Sequence, residues 1–222
     1  MSWQSSIEYE RTINQIVQQT LGGVASADLL VRSFNFQQIE ELQAKGEWQA
    51  AGQLLADAAK SLQDAGAEAV LICTNTMHKV AEQVQQAISV PLIHIADVTG
   101  EAIQGQGLKK VALLGTNFTM SEGFYKDRLF ERFGIQAMVP DEPARAEIHR
   151  IIYQELVQGK IIDDSRDYVL NVIKTLMDSG AEGIIAGCTE IEILVTPSQV
   201  AVPYFPTSYL HAKAAAEFAL GQ

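Results

Sequence analysis

Apolar and polar positions along the chain follow two different periods. Short apolar, β-branched runs that read as strands occupy Asp28–Val31, Ala69–Ile72, Pro91–Ile95, Val111–Leu114, Ile135–Val139, Gly183–Ala186 and Val202–Phe205. Between several of them the apolar residues recur at helical spacing. Trp48, Ala51, Leu54, Leu55, Ala58 and Leu62 form one such stripe, and Gly66 follows as a stop signal. Arg166–Met177 forms another, with Asp163, Asp164 or Ser165 as candidate caps and Gly180 as the stop. Parallel strands need long crossover connections, which helices provide. This alternation therefore predicts an α/β fold of central parallel sheets flanked by helices.

The chain also repeats itself. Gly66-Ala67-Glu68-Ala69-Val70-Leu71-Ile72 matches Gly180-Ala181-Glu182-Gly183-Ile184-Ile185-Ala186, and residue 66 to residue 180 is a separation of 114. The same separation pairs Cys73 with Gly187, Thr74 with Cys188, Asn75 with Thr189 and Thr76 with Glu190. A weaker match sets Ser5 and Tyr9 against Ser121 and Tyr125. Two similar α/β halves follow, expected as a first domain of residues 1–97 with 209–222 and a second of 98–208. In the second half, Val111–Leu114 runs into the turn Gly115–Thr119; the equivalent strand would precede Ser5, so the first half is expected to lack its first strand.

Composition narrows the function classes. Of 222 residues, 47% are hydrophobic and 19% charged, enough apolar material for a sizeable core. The formal charge is −11, from 16 basic and 27 acidic residues, which argues against a nucleic-acid partner or an anionic membrane. No apolar run approaches the ~18 residues of a membrane span. Met1–Gln4 lacks the pattern of a secretory signal, so a cytoplasmic location is expected. Two cysteines are too few for a disulfide scaffold or a Cys-rich zinc site. His149 and His211 have no ligand-spaced partner, so no metal is assigned, and Gly105-Gln106-Gly107 precedes a strand, unlike a dinucleotide fingerprint.

Candidate chemistry lies in two polar turns that follow equivalent strands, Cys73–His78 and Gly187–Glu190. Ligands of open α/β sheets bind at the carboxyl ends of strands. There, helix N-termini offer free N–H groups to an anion such as a carboxylate. Thr74, Thr76, Thr116, Thr119 and Thr189 add hydroxyl donors.

The run Cys73-Thr74-Asn75-Thr76-Met77-His78, answered 114 residues on by Gly187-Cys188-Thr189-Glu190, resembles the aspartate/glutamate racemases, and most nearly their L-aspartate/glutamate-specific branch. Met1-Ser2-Trp3-Gln4-Ser5 is similar to the end of that family's Gly-Gly-Met-Ser-Trp loop. The resemblance covers essentially the whole chain. It implies two pseudo-twofold-related α/β domains, an active site in the cleft between them, no cofactor, a homodimer and a small acidic amino acid as substrate. The implied reaction is proton transfer at the α-carbon by two groups on opposite faces.

The family carries a cysteine in each turn, but here Thr74 stands in the first one, opposite Cys188. Cys73 is one residue earlier, and adjacent strand residues face opposite ways, so it is expected to point away from the cleft. The resemblance thus implies Thr74 and Cys188 as the catalytic pair and Met1, Gln43, Asn75, Thr76, Thr116, Thr119 and Thr189 as substrate contacts. Cys188 is expected to act as the base, since electropositive surroundings can lower a thiol pKa. A threonine hydroxyl is a far poorer base, so one enantiomer should be favoured.

Other readings stay open at this point. Asn75 and Thr76 could simply shape a turn, Thr74, Thr116 and Thr119 could be structural caps, Cys188 could be a small core residue, and Gln43 could be solvated surface. His78 could tune the turn or be structural, and Glu190 could cap its helix or influence Cys188. A related decarboxylase, maleate isomerase or hydantoin racemase, or an amino-acid-binding protein without turnover, would carry similar turns.

Overall fold

The computed structural model describes residues 2–221. The chain forms two compact units, Met1–Ile95 with His211–Gln222, and Ala96–Leu210. The first unit contains α1 (Trp3–Leu21), α2 (Phe36–Ala44), α3 (Trp48–Asp64), β1 (Val70–Leu71), a 3-10 turn (Thr76–Val80), α4 (Ala81–Gln86) and β2 (Leu92–Ile93). The second continues with α5 (Ile95–Gly105), β3 (Lys110–Gly115), α6 (Asn117–Ser121), α7 (Gly123–Phe133), β4 (Gln136–Met138), α8 (Glu142–Gln154), α9 (Asp163–Asp178), β5 (Ile184–Gly187), α10 (Thr189–Leu194) and β6 (Tyr204–Pro206). Helix α11 (Thr207–Ala219) returns the chain to the first unit from His211 on.

Among the described residues all pairings are parallel, as the strand–helix alternation predicts. In the first unit β1 pairs with β2, Val70 opposite Leu92. In the second, four strands run in the order β4-β3-β5-β6, with Ala112 opposite Ile184 and Ile184 opposite Tyr204. Val111–Leu114 and Ile184–Ala186 are fully buried, which explains why they read as continuous apolar runs and not as alternation. Their core is closed by Ile148, Ile151, Val169 and Ile173 from α8 and α9. The first unit has apolar clusters of its own. Leu55 and Ala59 of α3 pack on Val70, Met77 and Val84, while Tyr9, Ile13 and Val17 of α1 pack on Ala212, Ala215 and Ala216 of α11.

The repeat is visible in hydrogen bonds. Helix α3 ends with Gly66 N–H on Gln63 and Ala67 N–H on Leu62; α9 ends with Gly180 N–H on Met177 and Ala181 N–H on Leu176. Both glycines hold positive φ, +104° and +96°. These are two copies of one Schellman cap, which needs a residue without a Cβ penalty in the left-handed region.

Two local expectations fail. Asp28–Val31 is not a strand: Ala25, Ala27 and Leu29 are half-buried between exposed neighbours, yet among the described residues no ladder joins the segment to another. Alternation is a property of side chains, whereas a strand requires a backbone partner. Likewise none of Asp163, Asp164 and Ser165 caps α9, because the helix begins at Asp163 with Ile162 at the cap. The two aspartates fill the first turn, at the positive end of the helix dipole, and the Ser165 hydroxyl donates to Glu155 at 2.6 Å. No helix among the described residues is long and apolar enough to cross a membrane.

His211 ties α1, α11 and β2 together. The Tyr9 hydroxyl donates to its Nδ1 (2.8 Å), and its Nε2–H donates to the Ile93 carbonyl (2.7 Å), so the ring is neutral. Burial lowers its pKa from 6.5 to about 4, with the Ile93 bond opposing the shift in part. The unfolded chain binds a proton that the native state refuses, so stability falls as pH drops below about 6.5 and levels off below about 4. We expect a loss of about 3 kcal/mol across that window from this group. Denaturant titrations at pH 7 and pH 4 should show His211→Gln losing correspondingly less than the parent; equal losses would refute the assignment.

Candidate active site

In the second unit, β3 and β5 end side by side, Gly115 opposite Gly187. A Cβ on Gly115 would lie 2.8 Å from the Gly187 carbonyl oxygen, and one on Gly187 would lie 2.9 Å from that of Leu114. Only glycine fits either position, and the pair brings the two following turns together. In the first turn, the Thr116 hydroxyl caps α6 by accepting the Thr119 N–H (3.3 Å), and the two hydroxyls are 3.2 Å apart. Both threonines are buried. His149 of α8 accepts the Asn117 N–H at Nδ1 (3.2 Å), and burial lowers its pKa, so it presents a neutral ring. No fixed spacing pointed to His149; the contact exists only because α8 packs beside β3.

The second turn holds Cys188, extended and half-buried at the cap of α10. Its carbonyl accepts the N–H groups of Ile191 and Glu192. Its thiol donates to the Glu190 carboxylate at 2.8 Å, and the Thr189 hydroxyl donates to the same oxygen at 3.0 Å. Burial, and then the negative charge of Glu190, push the thiol well above its ordinary value of 9.0. This corrects the expectation of an electropositive pocket that lowers the thiol. The nearest charge is a buried carboxylate, which favours the proton on sulfur.

In the first unit the corresponding turn leaves β1. Thr74 is half-buried, and its carbonyl accepts the Nδ1–H of His78 at 2.8 Å. The other ring nitrogen, Nε2, accepts the Ile95 N–H (3.1 Å), so His78 is a neutral clamp between the turn and the start of α5. Asn75 and Thr76 are buried at the head of the 3-10 turn. Gln43 is buried too, and its Nε2 donates to the Met77 sulfur at 3.0 Å, which overturns its reading as solvated surface. Cys73 packs instead with the α1–α11 cluster, and burial raises its thiol to about 11. The Ser2 hydroxyl accepts the Ser5 N–H (3.3 Å), the counterpart of the Thr116–Thr119 cap at the same separation of 114. Ser5 therefore answers Thr119 at a separation of 114 and not Ser121, its weaker sequence match at 116. The contact expected from Met1 lies outside the described residues.

The structure thus gathers Thr116, Thr119, Cys188, Thr189 and Glu190 at one strand edge of the second unit, and Gln43, Thr74, Asn75 and Thr76 around one turn of the first. Among the described residues no group of three or more His, Cys, Asp or Glu side chains is placed to hold a metal ion.

Residues 1–215 match the Asp/Glu/hydantoin racemase family. A Yersinia pestis protein whose crystal structure carries the provisional name Asp/Glu racemase is 52% identical, covering 99% of this chain and 95% of its own, with a TM-score of 0.92. An aspartate racemase homologue from Pyrococcus horikoshii is 32% identical over 98% of this chain and 94% of its own, with a TM-score of 0.84. The broad-specificity amino-acid racemase RacX of Bacillus subtilis is 26% identical over 160 residues, 71% of this chain and 67% of that protein.

The Cys188–Glu190 contact can be tested directly. Glu190→Gln removes the charge and keeps the shape, so the pH midpoint for alkylation of Cys188 should move down. It should stay above that of an ordinary thiol because burial remains. An unchanged midpoint would show that the carboxylate does not govern the sulfur.

Proposed function

The chain belongs to the Asp/Glu/hydantoin racemase family, and we propose that it is an amino-acid racemase that inverts the α-carbon of aspartate or glutamate with Cys188 on one face and Thr74 on the other. The observation that carries this reading is the Cys188 thiol at the end of β5, hydrogen-bonded to Glu190 at 2.8 Å. A thiol held by a carboxylate can deliver its proton to a carbanion. It becomes a base when Glu190 takes that proton, or when a cation stands beside the sulfur. The α-ammonium of an amino acid is such a cation. The N–H groups at the heads of α6 and α10, with the Thr116, Thr119 and Thr189 hydroxyls, suit the substrate carboxylate. Stabilising the carbanion falls to the same dipoles.

Thr74 makes the pair unequal. Its hydroxyl donates a proton more readily than it removes one, so the enantiomer whose α-hydrogen faces Cys188 exchanges that hydrogen with solvent faster, while kcat/KM for inversion stays equal in the two directions. The experiment is deuterium incorporation from solvent into each enantiomer of aspartate and glutamate, followed by NMR. We expect fast exchange from one enantiomer, a loss of about 10²–10⁴-fold in Cys188→Ser, and more even exchange in Thr74→Cys. Equal, fast exchange from both enantiomers by the unaltered protein would refute the asymmetric pair. Binding of aspartate in calorimetry with no exchange at all would instead mark a binding protein.

A further inference from the structure

Glu192 stands four residues beyond Cys188, and His78 stands four beyond Thr74; the two are 114 apart, in register with the repeat. Both side chains accept an N–H from the first turn of the helix that follows the next strand. Glu192 Oε1 accepts the Ser208 N–H of α11 at 2.9 Å, and His78 Nε2 accepts the Ile95 N–H of α5 at 3.1 Å. The backbones then differ. The Cys188 carbonyl takes the N–H groups of Ile191 and Glu192, as a helix start does. In the first unit the His78 N–H goes instead to the Asn75 carbonyl, and the imidazole Nδ1–H reaches the Thr74 carbonyl at 2.8 Å. An ionised glutamate can only accept, whereas a neutral imidazole accepts on one nitrogen and donates from the other. His78 therefore does what Glu192 does and, in addition, grips the residue that faces the substrate.

The two bonds of His78 depend on each other. A backbone amide only donates, so the Ile95 N–H keeps Nε2 unprotonated and leaves the one ring hydrogen on Nδ1, where the Thr74 carbonyl needs it. His78 is 3% exposed, and the His94 ring packs against it at 4.5 Å, so the ring has no room to exchange its nitrogens without repacking. The Thr74 hydroxyl is carried on a β-branched side chain with few χ1 states, so its place follows that of the backbone. We infer that His78 is a positioning residue for proton transfer at Thr74: its Nδ1–H fixes the peptide that carries the hydroxyl, and the Ile95 amide fixes the tautomer that makes this bond available. The inference rests on the racemase reading and adds to it the means by which a weak acid–base group is held in place. Placement matters most for such a group, since an error of ~1 Å can cost ~10²-fold in rate. Cys188 has the Glu190 carboxylate as its own support, and its carbonyl is held by backbone alone.

Two variants divide the ring's two tasks. An asparagine amide can donate from the place of Nδ1, and a glutamine carbonyl can accept at the place of Nε2. In deuterated solvent the enantiomer whose α-hydrogen faces Cys188 has two fates: exchange with retention, which uses Cys188 alone, and inversion, which uses Thr74 as well. His78→Gln should lower inversion by about 10–100-fold more than it lowers exchange with retention. His78→Asn should regain about tenfold or more of the lost inversion, because the hold on the Thr74 carbonyl returns. A simple loss of fold or stability would lower both processes together. Equal losses of the two in His78→Gln, or no regain in His78→Asn, overturn the proposal. The unaltered protein supplies a measurement that does not depend on how the variants fold: nitrogen NMR shifts of the His78 ring should place its hydrogen on Nδ1, and a hydrogen on Nε2 overturns the proposal. If the unaltered protein exchanges neither enantiomer, the racemase reading fails and takes the role at Thr74 with it; a ring protonated on Nδ1 in the same sample distinguishes that result from failure of the clamp.

Discussion

Gly115 and Gly187 face each other across paired strands with no room for a side chain on either, and this backbone contact sets the chemistry of the second unit. Parallel strands carry their outgoing turns at the same edge of the sheet. Here the absence of Cβ atoms lets those turns follow the last ladder residue at once. Thr116 and Cys188, each one residue past its glycine, occupy the caps of α6 and α10. A larger residue at either position would push a strand end into its neighbour's carbonyl and separate the two caps.

The electrostatics of that edge differ from those of a typical activated cysteine. Helix N-termini and nearby cations ordinarily lower a thiol pKa. Cys188 sits at a short helix start, but burial, and after it the Glu190 carboxylate that accepts from it and from Thr189, hold the proton on sulfur. The resting group is therefore a thiol with a built-in proton acceptor. In the first unit, polar groups are arranged for rigidity. His78 bridges Thr74 and Ile95 as a neutral ring, Gln43 holds Met77, and His211 joins Tyr9 to Ile93. Neutral, fully engaged imidazoles suit a turn that must hold its shape, because they add no charge and leave no buried donor unmatched.

The two units also share devices that propensity alone does not dictate. The Schellman caps at Gly66 and Gly180 and the hydroxyl caps at Ser2 and Thr116 recur at one separation. Tyr9 and Tyr125 stand 116 apart, two residues outside that register; Tyr9 bonds His211 of α11, whereas Tyr125 bonds Thr99 of α5. The pattern persists although the partner side chain differs, since a buried tyrosine hydroxyl needs a hydrogen-bond partner and either residue supplies one.

By itself the sequence determined the α/β class, the parallel sheets, the repeat, the glycine stops and the positions of the polar turns. These depend on period, on the rarity of residues that tolerate positive φ, and on the need of parallel strands for helical crossovers. Thr74, Thr116, Thr119 and Cys188 were legible because a turn after a buried strand announces itself in polarity. Tertiary structure decided the rest. Asp28–Val31 has the alternation of a strand, but a ladder needs a neighbour that no local pattern can supply. The burial of Gln43, the contact of His149 with Asn117 and the proton held on Cys188 depend on groups brought close by packing. A pKa is set by distance and desolvation, and neither exists until the chain has folded.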